Sequence, residues 1–186
     1  MKLVIAGTGA SGAIYLQRLL ARLDPTLHEV HVVLSAYARQ VIAEELGELE
    51  LLPGMVLHGD KSMNVPFVSG SAAFDAMVIV PCSMGTLGRV ASGVSDSVIL
   101  RAADVFLKER RRLVLVPRET PWNLIHARNV VTLLEAGAIV LPASPGFYSR
   151  PKSIEALVDS LVTRILDQIG LPSPEAFRWA ETPFPE

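Results

Sequence analysis

A chain of 186 residues, half of them apolar, is long enough for one three-layer core, and its formal net charge of −2 offers no overall field for nucleic acid or an anionic membrane, so anions must be bound by local clusters. A lone cysteine, Cys82, excludes an internal disulfide and suits a reducing compartment. The apolar runs fall well short of the roughly 20 residues of a membrane span and the N-terminus enters a strand pattern with no cleavage site behind it, so a soluble, cytoplasmic protein is expected.

The first strand pattern, Lys2 to Ala6, runs into Gly7-Thr8-Gly9-Ala10-Ser11-Gly12, a GxGxxG turn, and then into a helix with apolar residues at Ile14, Leu16, Leu19, Leu20 and Leu23. Free N–H groups and the helix dipole at such a turn favour a phosphate. The second strand, Glu29 to Leu34, ends at Ser35 with no carboxylate for an adenosine ribose, which disfavours NAD. Ser35 offers a hydroxyl and a helix N-cap, suited to a monophosphate or to plain capping. A third strand is expected over Met55 to His58 and a fourth over Ala76 to Val80. The loop after the fourth, Pro81-Cys82-Ser83-Met84-Gly85-Thr86-Leu87-Gly88, has the small hydroxyl residues and backbone to hold an isoalloxazine edge. Cys82 reads as a buried small residue, and the histidines at 28, 31, 58 and 126 have no metal-ligand spacing, so no metal is expected.

A fifth strand, Arg112 to Val116, follows a basic run at Arg101, Lys108 and Arg110 to Arg112. The last three read as the solvated end of a helix. Arg118 and Glu119, directly after this strand, pair a phosphate-binding fork with a carboxylate able to move a proton, or form a plain surface ion pair. A sixth strand, Ala138 to Leu141, completes a repeated ending, VIVPCSMG, VLVPRETP and IVLPASPG, in which proline stops a strand and small or polar residues follow. Strands alternating with helices predict a doubly wound, Rossmann-like or flavodoxin-like parallel sheet of order 3-2-1-4-5-6, its ligand crevice between the first and fourth strands. The domain is expected over 1–170, and the Pro- and aromatic-rich arm over 171–186 is expected to pack on a neighbouring subunit.

Taken in order, GTGASGA, Ser35-Ala36, SGS at 69–71, PCSMGTLGRVASG at 81–93, RAADVFLKERRRLVLVPRETP at 101–121 and LPASPGFYSRPKS at 141–153 resemble the UbiX type of flavin prenyltransferases over nearly the whole chain. The resemblance implies that FMN is held by Gly9, Ala10, Ser11, Ser35, Ser83, Met84, Gly85, Thr86 and Arg118. It implies a dimethylallyl phosphate whose phosphate meets Lys108, Arg118, Tyr148 and Arg164, supported by Arg101. Glu119, Ser11, Lys108 and Glu45 are then the catalytic set, with Glu45 reaching in from a neighbouring subunit of a homo-oligomer, by resemblance a dodecamer. The implied reaction joins the prenyl group to N5 and C6 of reduced FMN without a metal, and the implied partner for the product is a UbiD-type decarboxylase.

Trp122, Phe67 and Trp179 are candidate linings for a developing allyl cation, and Met63 stands where some relatives carry a tryptophan. Two rival readings differ in class. A cysteine-peptide or pantetheine decarboxylase on the same fold would need a PxMNxxMW-like segment where this chain has PASPGFYSRP, and a mere FMN carrier would need one anion cluster, not two.

Overall fold

The computed structural model describes residues 1–174 and 176–179. Six strands, β1 (Lys2–Gly7), β2 (Glu29–Leu34), β3 (Val56–Gly59), β4 (Ala76–Cys82), β5 (Arg112–Pro117) and β6 (Ile139–Val140), pair in parallel in the order β3-β2-β1-β4-β5-β6. This is the expected doubly wound sheet, and the winding reverses between β1 and β4. Along β1, Leu3 and Ile5 face one layer while Val4 and Ala6 face the other, as the two-residue period of a strand requires. Both faces are covered, which is why the strands read as continuous apolar runs. The first layer is α1 (Ala13–Leu20), α2 (Ala36–Glu45) and α6 (Ile154–Ile169); the second is built on α3 (Met84–Ala91) and α4 (Val98–Lys108), with Leu133 of α5 (Leu124–Glu135).

The helices start where the sequence supplies a side-chain acceptor. Ser35, Ser83, Ser97, Asn123 and Ser153 each take the backbone N–H three residues on, a cap worth about 1 kcal/mol apiece. α1 differs: its cap is Gly12, in the left-handed region at φ 113°, where other residues are strained.

Two strands take in the prolines expected to stop them. β5 includes Pro117, and β4 continues to Cys82 through a register irregularity between Ile79 and Cys82 that absorbs Pro81. β3 sits one residue later than expected, on the exposed sheet edge, and β6 is trimmed to two residues although Leu141 and Ala143 still donate to Leu115 and Pro117 of β5. Arg111 and Arg112 are also more than a solvated helix end: Arg111 holds the carbonyls of Gly70 and Ala72 at 2.7 and 2.5 Å, and Arg112 that of Ile169 at 2.9 Å. Among the described residues no helix is long and apolar enough to cross a membrane. The described part of the C-terminal arm lies against α6 and the 147–149 loop of its own chain; the rest of that expectation falls outside the described residues.

Candidate active site

At the switch point the loops after β1, β4 and β5 are fastened to one another. Thr8, inside the glycine turn, donates both its N–H and its hydroxyl to the Pro81 carbonyl at 3.1 and 2.9 Å, and its hydroxyl oxygen accepts the Ser83 N–H at 2.8 Å. Sequence reasoning passed over Thr8; its place between two glycines facing the Pro81 loop was the available signal. Arg118 closes the third side, its Nε donating to the Ser11 carbonyl at 3.0 Å.

The anion seat of the glycine turn is filled by the chain itself. Glu45, the last residue of α2, accepts the N–H groups of Gly12 and Ala13 at 2.9 and 2.8 Å. Partial burial opposes ionisation of this carboxyl, but the Ser11 hydroxyl, the two N–H groups and the field of Arg118 outweigh it and hold the group below the ordinary glutamate range. The N–H groups of Gly12 and Ala13, in the turn expected to favour a phosphate, are engaged, and within one chain Glu45, expected at a neighbour's site, bonds to the turn that carries Ser11. α2 does this because its ten residues, started by Ser35 at the top of β2, end beside α1.

Of the residues expected at the flavin, Gly9, Ser11 and Gly85 are exposed and Ser35, Ser83 and Arg118 half-buried, whereas Ala10, Met84 and Thr86 are buried and can offer little beyond backbone edges. A Cβ on Gly9 would stand 2.4 Å from that of Tyr37, so only glycine lets α2 start this close to the turn; around Gly85 there is nothing within 4 Å. The open first turn of α3, the Ser35 and Ser83 hydroxyls and the Arg118 guanidinium fit a planar ring with a phosphorylated tail. Cys82 is fully buried and its thiol is pushed up to about 12 by burial, so it is no nucleophile.

Glu119 follows Arg118 in the same loop, its carboxylate accepting the Thr120 N–H at 3.0 Å and its carbonyl the Trp122 Nε1–H at 3.1 Å. Lys108 is elsewhere. It ends α4, beside the start of β5, and pairs with Glu109 over Gly70. The six residues of β5 separate it from Arg118 by about 20 Å, so no side-chain rotation brings the two together within one chain. Arg101, on the same helix, holds Asp104 at 2.8 Å and the Val68 carbonyl at 3.2 Å.

Tyr148 and Arg164 do meet. They line a cavity of about 360 Å3 between α6, the loop after β6 and the C-terminal segment, with Ser149, Ser160, Thr163 and Phe177. Arg118 and Lys108 are not among its walls. Trp122 is exposed near Glu119, as is Met63 in its loop, but Phe67 is not a lining candidate: it is fully buried in an aromatic cluster with Phe74, His31 and His58. In that cluster His31 Nδ1 stands 2.7 Å from His58 Nε2, and His31 Nε2 stands 3.0 Å from Glu29, a chain that the sequence separations concealed.

A protein-family model described as Flavoprotein matches residues 1–166. The chain is 45% identical over 183 residues to a probable UbiX-like flavin prenyltransferase of Bacillus subtilis (strain 168), covering 96% of this chain and 89% of that protein. Among solved structures, AnUbiX in complex with FMN and dimethylallyl pyrophosphate is similar at a TM-score of 0.90 and 41% identity, over 98% of both chains. A dodecameric FMN-dependent UbiX-like decarboxylase from Escherichia coli O157:H7 is similar at 0.87 and 38%, over 96% of this chain and 99% of that one.

Proposed function

The chain belongs to the Flavoprotein family and, within it, to the UbiX flavin prenyltransferases, and from that footing we propose how its residues join a dimethylallyl group to N5 and C6 of reduced FMN. The observation that carries the residue assignment is the junction at Ser11, where Arg118 from the loop after β5 and Glu45 from α2 meet on the turn after β1. FMN supplies the nucleophilic ring when bound; Gly9, Ser35, Ser83, Gly85 and Arg118 hold it, with Ala10, Met84 and Thr86 behind them.

The donor is dimethylallyl phosphate. Breaking its allylic C–O bond leaves the electron pair and the growing negative charge on the phosphate, where Arg118, Tyr148, Arg164, Lys108 and Arg101 stabilise it. These five donors meet the charge that a metal would otherwise meet, which supports a metal-independent reaction. Trp122 and Trp179 face the developing cation. Glu119 passes a proton to the departing phosphate, which later takes the proton from C6, and Ser11, hydrogen-bonded to Glu45, assists removal of the N5 proton.

Since Lys108 and Arg118 stand at opposite ends of β5 and neither lines the cavity of Tyr148 and Arg164, the complete site is assembled from neighbouring copies in a homo-oligomer, up to a dodecamer, with Lys108 and Arg101 coming from a different copy than Arg118. The flavoprotein domain spans 1–170, the setting is the reducing cytoplasm, and the product serves a UbiD-type decarboxylase. The test is complementation: Lys108→Ala and Arg118→Ala, each inactive in prenylated flavin formation, are dissociated, mixed and reassociated. Return of activity in the mixture supports the composite site, and its absence while wild-type chains survive the same treatment refutes it.

A further inference from the structure

The cavity that joins Tyr148 to Arg164 is walled on one side by Ala176 and Phe177 of the C-terminal segment, and one carboxylate of α6 ties that segment down beside it. Asp167, one turn after Arg164 on α6, accepts Arg164 Nη1 on Oδ2 at 2.8 Å. The same carboxylate receives Arg178 of the C-terminal segment as a fork, Nη1 to Oδ2 and Nη2 to Oδ1, both at 2.7 Å. The next residue, Trp179, stands edge-on to Tyr148 with ring centroids 5.1 Å apart. Two of the side chains expected at the donor phosphate are therefore touched by this segment, Tyr148 directly and Arg164 through Asp167.

Exposure shows which bond is the latch and which is free to turn. The side chain of Asp167 is 13% exposed and that of Arg178 30%, whereas that of Arg164 is 58% exposed and makes one bond to the shared oxygen. A bidentate, largely covered pair is the stronger and more directional of the two. Arg164 can thus turn to an arriving phosphate while Asp167 stays satisfied by Arg178, and two guanidinium groups around one carboxylate leave that trio net positive. The fork of Arg178, followed by Arg164, holds the Asp167 carboxyl below its ordinary range, as a permanently ionised post requires.

We propose that Asp167 is a positioning residue for donor binding: it latches the C-terminal segment over the cavity through Arg178 and, in the same contact, aims Arg164 at the donor phosphate. This rests on the reading of Tyr148 and Arg164 as phosphate ligands. Neutralising the post leaves two arginines facing each other, so the segment leaves the cavity and Trp179 leaves Tyr148.

The experiment uses the full chain loaded with FMN. Asp167→Asn is expected to raise the KM for dimethylallyl phosphate by roughly 10- to 100-fold, the worth of one charge-assisted pair, and to lower kcat with it, with FMN affinity little changed and with Asp167→Glu restoring most of the loss. Arg178→Gln, which breaks the latch from the segment side, is expected to reproduce the effect. Trp179 emission, read in a Trp122→Phe background, shifts to the red when either latch residue is changed, and inorganic phosphate binds more weakly. A donor KM within twofold of wild type, or FMN affinity falling in parallel with it, overturns the proposal. If wild type forms no prenylated flavin, the prenyltransferase reading is what fails, and unchanged Trp179 emission and phosphate affinity in both variants then overturn the latch separately.

Discussion

Arg118 donates its Nε–H to the carbonyl of Ser11 at 3.0 Å, joining the loop after β5 to the turn after β1 across 107 positions of sequence. The bond uses the end of the guanidinium nearest the chain, so its outer N–H groups remain directed away from Ser11. Lysine keeps the charge but lacks the planar fork that bonds the carbonyl through Nε while presenting two outer nitrogens to a phosphate. Arg118→Lys is therefore expected to weaken FMN binding by roughly 10- to 100-fold, read by titration of flavin fluorescence, with the fold intact by circular dichroism.

Glu45 caps α1 by a hydrogen bond to Ala13 at 2.8 Å and a second to Gly12 at 2.9 Å. Its carboxyl is held below the ordinary value of 4.5, so its contribution to stability is complete above that value and is lost as pH falls through the lower value of the folded state. Glu45→Gln is expected to flatten the acid limb of a plot of Tm against pH below about 4.5 and, by taking the charge from Ser11, to slow prenyl transfer at neutral pH.

The glycines of the site separate packing from recognition. Gly9→Ala places a Cβ 2.4 Å from that of Tyr37 and is expected to cost about 1–3 kcal/mol of stability as well as FMN affinity. Gly85→Ala meets nothing within 4 Å and sits in the first turn of α3, so thermal melting should hold or rise while FMN affinity falls.

His58 is pushed below its ordinary value of 6.5 by burial and then by the neighbouring His31. The unfolded chain then takes up this proton first on acidification, so the stability that neutral His58 contributes is present above pH 6.5 and declines below it. His58→Gln is expected to remove that part of the slope below pH 6.5, measured as Tm against pH.

Local signals carried the fold. Alternating strand and helix patterns, serine caps and the glycine turn are written within a few residues of where they act, and they led to the strand order and to the loops after β1, β4 and β5. The errors came from partners far along the chain. Pro81 looked like a strand stop because its partner Thr8 is 73 positions away, and Phe67 looked like a lining residue because the histidines that bury it lie on β2 and β3. The resemblance gathered Lys108, Arg118, Tyr148 and Arg164 at one phosphate; one chain holds them at three places, because α4 descends the full height of the sheet before β5 climbs back.

The most direct measurement is the mass of the flavin released after anaerobic incubation of the purified protein with FMN, dithionite and dimethylallyl phosphate, run in parallel with the diphosphate and with a chelator. A flavin heavier by one C5H8 unit, formed from the monophosphate and undiminished by the chelator, is the result this account predicts. Unchanged FMN from folded, flavin-bound protein with either donor would contradict it.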